Sequence, residues 1–108
     1  ETSATIGAAA ARTNGTNTAM VYGTDGGITA ANLVVLQDDQ HDQPVYAPVP
    51  TIREAVLTAN PQIRQLVKPL MDSFDGETLR RLNERMQING ESAQSVAEDY
   101  LESRGLLK

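Results

Sequence analysis

Four polar side chains in one short stretch are the first candidates for chemistry. They are Asp38, Asp39, His41 and Asp42. Carboxylate and imidazole groups held by one loop could bind a hard metal ion or exchange protons. The stretch lacks the glycine and the ligand spacing of a calcium loop, and runs of carboxylates are common on solvated surfaces. We therefore predict a solvated acidic loop, with no metal and no cofactor.

The residue types do not support nucleophilic catalysis. The chain has no cysteine and one histidine, so a thiolate nucleophile is excluded and a hydrolytic triad is not predicted. The serines lie beside predicted helix starts or on helices, where capping and solvent exposure explain them. Gly23, Gly26 and Gly27 match neither of the common phosphate-binding glycine motifs. The sequence therefore predicts a protein that is not an enzyme.

Two tyrosines, Tyr22 and Tyr46, remain as candidate ligand contacts. Tyr22 ends an apolar run and precedes a glycine-rich loop, whereas Tyr46 lies in a proline-rich stretch. Ligand sites gather at strand ends and in their loops, although β-propensity alone favours half-buried packing for both rings. Packing and ligand contact are therefore both open for these residues. Tyr100, on the apolar face of the last predicted helix, belongs to the core.

Composition limits the partners. The 108 residues carry nine basic and fourteen acidic side chains, a net charge of −5, which suits one compact domain and argues against a nucleic-acid or anionic-membrane surface. Cationic or zwitterionic ligands are compatible with this charge. No apolar run approaches the roughly 20 residues of a membrane span. Because the chain opens at Glu1 without Met or a signal-like segment, we expect a processed form or a fragment.

The elements that must position these residues change character along the chain. A helix is predicted over residues 3–12 from its alanine-rich composition. The apolar runs at residues 18–22 and 33–36 predict strands because they are short and rich in residues that favour strands. Residues 28–32 between them predict a loop or a single helical turn.

Four helices are predicted after the proline-rich stretch. An amphipathic stripe in the second of them has apolar residues at helical spacing. The stripe consists of Ile63, Leu66, Val67, Leu70 and Met71. Each helix has a recognisable start signal. These signals are the Thr51–Glu54 capping-box spacing, the Asn60–Pro61 pair, Asp75 and Ser92.

Several short motifs follow one another in a distinctive order. They are MVYGTDG at 20–26, LVVLQDD at 33–39, PVY at 44–46 followed by PTIRE at 50–54, INGES at 88–92 and VAEDYL at 96–101. Their succession resembles the C-terminal part of osmoprotectant substrate-binding proteins of bacterial ABC importers, the glycine betaine/choline type in its YehZ-like branch. The similarity covers nearly the whole chain and is loose only over the first dozen residues.

This resemblance implies an α/β chain with a partial type II periplasmic-binding-protein-like fold. Its N-terminal half would contain strands and its C-terminal half would be helical. Residues 1–32 would belong to the second lobe, 33–43 to a crossover segment and 44–108 to the C-terminal part of the first lobe. Since most of the first lobe would be missing, sheet edges would be unpaired. A fragment of this kind is expected to self-associate or to exchange segments.

The resemblance also implies a function. The protein would capture a quaternary-ammonium osmoprotectant, such as glycine betaine or choline, and deliver it to a membrane permease. Its location would be periplasmic or extracellular, with a lipid anchor left open. Tyr22 from the second lobe and Tyr46 from the first would contribute to an aromatic cage between the lobes, and Thr24 and Asp25 would line or shape the cleft.

An alternative from a different class stays open at this level. Residues 51–108 would form a small helical protein-interaction or regulatory module with no small-molecule ligand, and the front half would be a disordered or strand-forming tail. Mixed helix and strand content favours the binding protein, whereas a purely helical spectrum that survives deletion of residues 1–48 favours the module.

Overall fold

The computed structural model describes residues 2–44 and 47–107, and the regular structure within them is helical. The elements are α1 (Thr2–Ala10), a 3-10 turn (Thr13–Gly15), α2 (Gly27–Ala30), α3 (Glu54–Ala59), α4 (Ile63–Asp72), α5 (Gly76–Gln87) and α6 (Ala93–Ser103). They fall into two compact units, one formed by Glu1–Leu36 with Asp75–Lys108 and the other by Gln37–Phe74. In the described ranges, every helix is too short or too polar to cross a bilayer.

The predicted strand-containing N-terminal half is wrong for the described part of the chain. Residues 18–22 and 33–36 are irregular, and the described residues contain no strand. Met20 and Val34 are 86% and 84% exposed. A strand is stabilised by a neighbouring ladder and by packing on a sheet face, so β-branched composition alone does not form one. These runs have the composition of strands without a neighbour to pair with.

The first unit has a small apolar core around α2. Ile28 of α2 is 3% exposed, and Ile6 and Ala9 of α1 are each 5% exposed. The helix α2 packs against both α1 and α5, and α5 packs against α6. Residues 27–30 thus form the single helical turn that the sequence allowed. Because α2 follows directly after residues 22–26, its burial fixes one end of that loop.

Both predicted caps of this unit are confirmed. The Asp75 carboxylate accepts a 2.7 Å hydrogen bond from the Thr78 N–H at the start of α5, and this bond lowers the pKa of Asp75. At the start of α6, the Ser92 hydroxyl accepts from the Ser95 N–H at 3.1 Å. Each side chain satisfies an amide that has no partner within its helix, which explains why both helices begin there.

An ion-pair cluster connects α5 to α6. The Arg85 guanidinium donates through Nε to both carboxylate oxygens of Glu91 at 3.0 Å, and through Nη2 to the Asp99 carboxylate at 2.6 Å. The paired carboxylates raise the pKa of Arg85, and the guanidinium lowers the pKa of Glu91. This cluster helps to fix α5 against α6, and α5 is the helix that holds the candidate site.

Two predicted start signals in the second unit are wrong. Arg53 is the N-cap of α3 and no side chain caps it, so the Thr51–Glu54 capping box is not formed. Asn60 does not cap α4, whose N-cap is Gln62. The Asn60 side-chain amide instead donates to the Val56 carbonyl at 3.1 Å. A side chain that closes the preceding helix in this way is not available to start the next one.

Candidate functional site

The acidic stretch uses one of its carboxylates to form a turn. The Asp38 carboxylate accepts from the Gln43 N–H at 2.8 Å and from the Asp42 N–H at 3.3 Å. These backbone donors lower the pKa of Asp38. Within residues 2–44 and 47–107, no three His, Asp or Glu side chains converge as a metal site would require. The geometry of this stretch is therefore that of a turn closed by the Asp38 side chain.

The strongest candidate for ligand contact is the loop at residues 22–26, which we call the tyrosine loop. Tyr22, the first residue of this loop, is 63% exposed. The Tyr22 carbonyl accepts a 2.9 Å bond from the Asp25 N–H. The Asp25 carboxylate then accepts from the Gly27 N–H at 2.9 Å. Asp25 thus shapes the turn that leads into α2, while the Tyr22 side chain is accessible from solvent.

One side of α5 holds this loop through its backbone. Arg80 Nη1 donates to the Gly23 carbonyl at 2.7 Å, and Asn83 Nδ2 donates to the Thr24 carbonyl at 2.6 Å. The third contact runs in the opposite direction, since Gln87 Oε1 accepts from the Gly26 N–H at 3.2 Å. Positions 80, 83 and 87 lie on one side of a helix. We call these three side chains the α5 polar face.

Gly26 brings the loop into direct contact with α5. Gly26 is buried, and a Cβ built there would lie 2.4 Å from the Glu84 nitrogen and 2.5 Å from the Glu84 Cα. These are backbone atoms of a helix and cannot rotate out of the way. Only glycine allows this close approach, which explains the first glycine of the Asp25–Gly26–Gly27 sequence.

A hollow of about 380 Å³ lies beside the loop. Asp25 borders it, whereas Tyr22 and Thr24 do not. The lining residues are Ile6, Gly7, Asp25, Gly27, Ala30, Ala31, Gln87 and Ile88. The structure therefore places three predicted site residues in one loop, but only Asp25 of them on the wall of this hollow.

The fourth predicted site residue, Tyr46, lies outside the described residues.

The α5 polar face is the part of the arrangement that sequence reasoning missed. Polar residues on one side of a helix are ordinarily solvated, and nothing in their spacing points to a loop 57 to 61 positions earlier in the chain. The glycines after Asp25 are the one local signal that a backbone approaches closely there.

A comparison with protein families finds one match over almost the whole chain. Residues 1–103 match the family described as the substrate binding domain of ABC-type glycine betaine transport system.

Individual relatives agree with this family. The chain is 46% identical over 108 residues to the glycine betaine-binding protein YehZ of Escherichia coli, covering 100% of this chain and 35% of that protein. It is 35% identical over 84 residues to a glycine-betaine-binding protein of Pseudomonas aeruginosa, covering 78% and 27%. It is also 31% identical over 86 residues to the ergothioneine transport permease/ergothioneine binding protein EgtU of Helicobacter pylori, covering 80% and 16%.

A solved structure is similar throughout. Apo YehZ from Escherichia coli superposes with a TM-score of 0.88 at 46% identity, over 98% of this chain and 38% of that chain. The chain thus spans about a third of the length of the first relative and of this structure.

Proposed function

This chain belongs to the family of substrate-binding domains of ABC-type glycine betaine transport systems, and we propose on that basis that it is part of a solute-binding protein. The full-length protein, meaning this chain extended to the length of its relatives, captures a quaternary-ammonium osmoprotectant and delivers it to a membrane permease. Glycine betaine and choline are the leading ligands. The family is one of binding domains, so no chemical change of the ligand is part of the proposal.

The chemistry of the relatives' ligands supports this ligand class. Glycine betaine and ergothioneine, the compounds in the relatives' names, both carry a trimethylammonium group. That group has no N–H to donate, so a protein recognises it through aromatic faces, each contributing roughly 0.5–2 kcal/mol according to desolvation. The net charge of −5 is compatible with such a cation.

One observation carries the placement of the site. Tyr22 is exposed at the start of a loop whose backbone is held by three side chains of α5. A ring on a fixed backbone can be aimed at a cation without paying for ordering when the ligand binds. In this proposal Tyr22 supplies one face of the cage and Tyr46 a second. Thr24 and Asp25 shape the loop, Asp25 through its bond to the Gly27 N–H.

The proposed mechanism is closure of two lobes around the ligand. The proposed division is residues 1–32 for part of the second lobe, 33–43 for a crossover and 44–108 for the C-terminal part of the first lobe. Within that division, α5 and α6 would move together with the second lobe, because residues 75–108 pack with residues 1–36 in one compact unit. Ligand binding shifts the equilibrium toward the closed form, and the permease recognises that form. Such a protein acts in the periplasm or outside the cell, with or without a lipid anchor.

A pair of isosteric compounds tests the ligand class. Choline and 3,3-dimethylbutan-1-ol have the same shape, but only choline is charged. Calorimetric titration of the full-length protein should show binding of glycine betaine or choline, and affinity at least about tenfold weaker for the neutral alcohol because the cation–π term is lost. Equal affinity for choline and the alcohol would contradict recognition of the ammonium charge.

The interaction-module alternative has less support. The purely helical regular structure of the described residues is what the module predicts. The module, however, treats the front half of the chain as a tail, whereas the family match includes that half within residues 1–103.

The 108-residue chain by itself is proposed to self-associate or to exchange segments. Met20, Val34 and Leu36 are 86%, 84% and 78% exposed, and exposed apolar runs with strand-like composition pair readily with another copy. Sedimentation velocity should show dimers or larger species whose share rises with protein concentration. A well-folded monomer over the whole concentration range would refute this proposal.

A further inference from the structure

The contacts between α5 and the tyrosine loop point to a set of residues that positions the ligand site from a distance in sequence. We propose that the α5 polar face, with Asn83 at its centre, sets the orientation of Tyr22 and thereby the affinity for the ligand. This inference rests on the proposed function, because it assigns a role toward the same site. Arg80, Asn83 and Gln87 are positioning residues, since they act through the loop and not on the ligand.

The three contacts follow the loop in order. Going along α5, Arg80, Asn83 and Gln87 bind the backbone of Gly23, Thr24 and Gly26 respectively. The loop therefore runs alongside the helix in the same direction. At three of the four loop positions after Tyr22, a polar side chain of α5 bonds to the loop backbone. A loop held at several successive backbone groups has few alternative conformations.

The contacts of the α5 polar face engage backbone atoms of the loop. Two loop carbonyls and one loop amide are bound, and Tyr22 at the start of the loop is largely exposed. The helix thus fixes where the loop that carries the Tyr22 ring lies. Scaffold-held loops are the usual way to present binding side chains.

The Asn83 amide is part-buried and donates at 2.6 Å to the Thr24 carbonyl, next to the point where Gly26 meets the Asn83 and Glu84 backbone. If the donor is lost, the part-buried Thr24 carbonyl is left without this partner, which favours a displaced loop. Asn83 therefore has the largest expected effect of the three.

The substitution Asn83→Asp is nearly isosteric and replaces the N–H donor with a carboxylate oxygen that repels the Thr24 carbonyl. Gln65→Glu makes the same chemical change on the exposed surface of α4 and serves as the matched control. With glycine betaine as the probe, Asn83→Asp should bind about tenfold more weakly in the full-length protein. Gln65→Glu should match the unmodified protein.

A double variant separates positioning from general damage. If Asn83 acts through Tyr22, the double variant Tyr22→Ala/Asn83→Asp should bind within about twofold of Tyr22→Ala alone, because coupled residues are not additive. Fully additive losses, or unchanged affinity in Asn83→Asp, would overturn the positioning role while leaving the proposed function intact. Should Asn83→Asp fold poorly, Arg80→Gln removes the neighbouring contact to Gly23. Its affinity is then compared with Tyr22→Ala and with the Tyr22→Ala/Arg80→Gln double variant in the same double-mutant cycle.

Amide hydrogen exchange gives a readout that needs no ligand. In Asn83→Asp, the amides of Asp25 and Gly27 should exchange faster, whereas those of α6 should not change. If the unmodified protein fails to bind glycine betaine and choline, the proposed function is wrong and this exchange measurement alone decides whether the α5 polar face holds the loop. Unchanged exchange at residues 22–27 would overturn the inference in either case.

Discussion

Replacing Tyr22 with alanine in the full-length protein is expected to weaken glycine betaine binding about tenfold or more, which corresponds to a loss of roughly 1.4 kcal/mol. The alanine has no π-face, so one wall of the cation site is lost. Because the Tyr22 side chain is largely exposed, folding should change little, and calorimetric titration then reports binding alone. Tyr46→Ala should cause a loss of similar size if the second ring belongs to the same cage.

Tyr22→Phe is the matched control for this variant. Phenylalanine keeps the ring and its negatively polarised face and lacks only the hydroxyl group, so its affinity should stay within about threefold of the unmodified protein. If Tyr22→Ala binds glycine betaine as tightly as the unmodified protein does, Tyr22 does not belong to the site. If phenylalanine is as harmful as alanine, the hydroxyl and not the ring face makes the contact.

The largest effect on stability is expected from Gly26→Ala. The new methyl group would lie 2.4 Å from the Glu84 nitrogen, and the helix backbone cannot yield without breaking its own hydrogen bonds. The loop must therefore separate from α5, which also breaks the bond that Asn83 donates to the Thr24 carbonyl and the bond that Gln87 accepts from the Gly26 N–H. We expect a loss of about 3 kcal/mol in the free energy of unfolding, a large fraction of the stability of a typical small domain.

Chemical denaturation of the unmodified and variant chains measures this loss, with Gly7→Ala as the control. Gly7 lies in α1 of the same unit, and a Cβ added there meets nothing within 4 Å. Alanine is the better helix former, so Gly7→Ala should be neutral or stabilising by up to about 1 kcal/mol. Equal stabilities of the two variants would show that the loop does not lie as close to α5 as described.

The parts of the fold that depend on neighbouring residues could be read from the sequence. Asp75 and Ser92 each lie three positions before the amide they bind, so the pattern that predicts a cap also forms it. Thr51–Glu54 has the same type of spacing, yet no cap bond forms at α3. A capping pattern is thus a strong indication but not a sufficient one, because the backbone entering the helix must also point the side chain at the amide.

The parts that depend on distant partners could not be read in this way. Residues 18–22 look like a strand, but whether they form one depends on a neighbouring strand and not on their own composition. The contacts of Asn83 with the tyrosine loop join residues 59 positions apart, and an asparagine on a helix carries no mark of such a partner. Tyr22 itself is recognisable in the sequence because aromatic rings are few in this chain and because a glycine-rich loop follows it.

The most direct measurement is a crystal structure of the full-length protein with glycine betaine bound. The distance between the trimethylammonium nitrogen and the centroid of the Tyr22 ring decides whether that ring contacts the ligand. We predict a value within about 6 Å, the range over which a ring face attracts a cation. A ligand bound elsewhere, with the Tyr22 ring turned toward bulk solvent, would contradict the account.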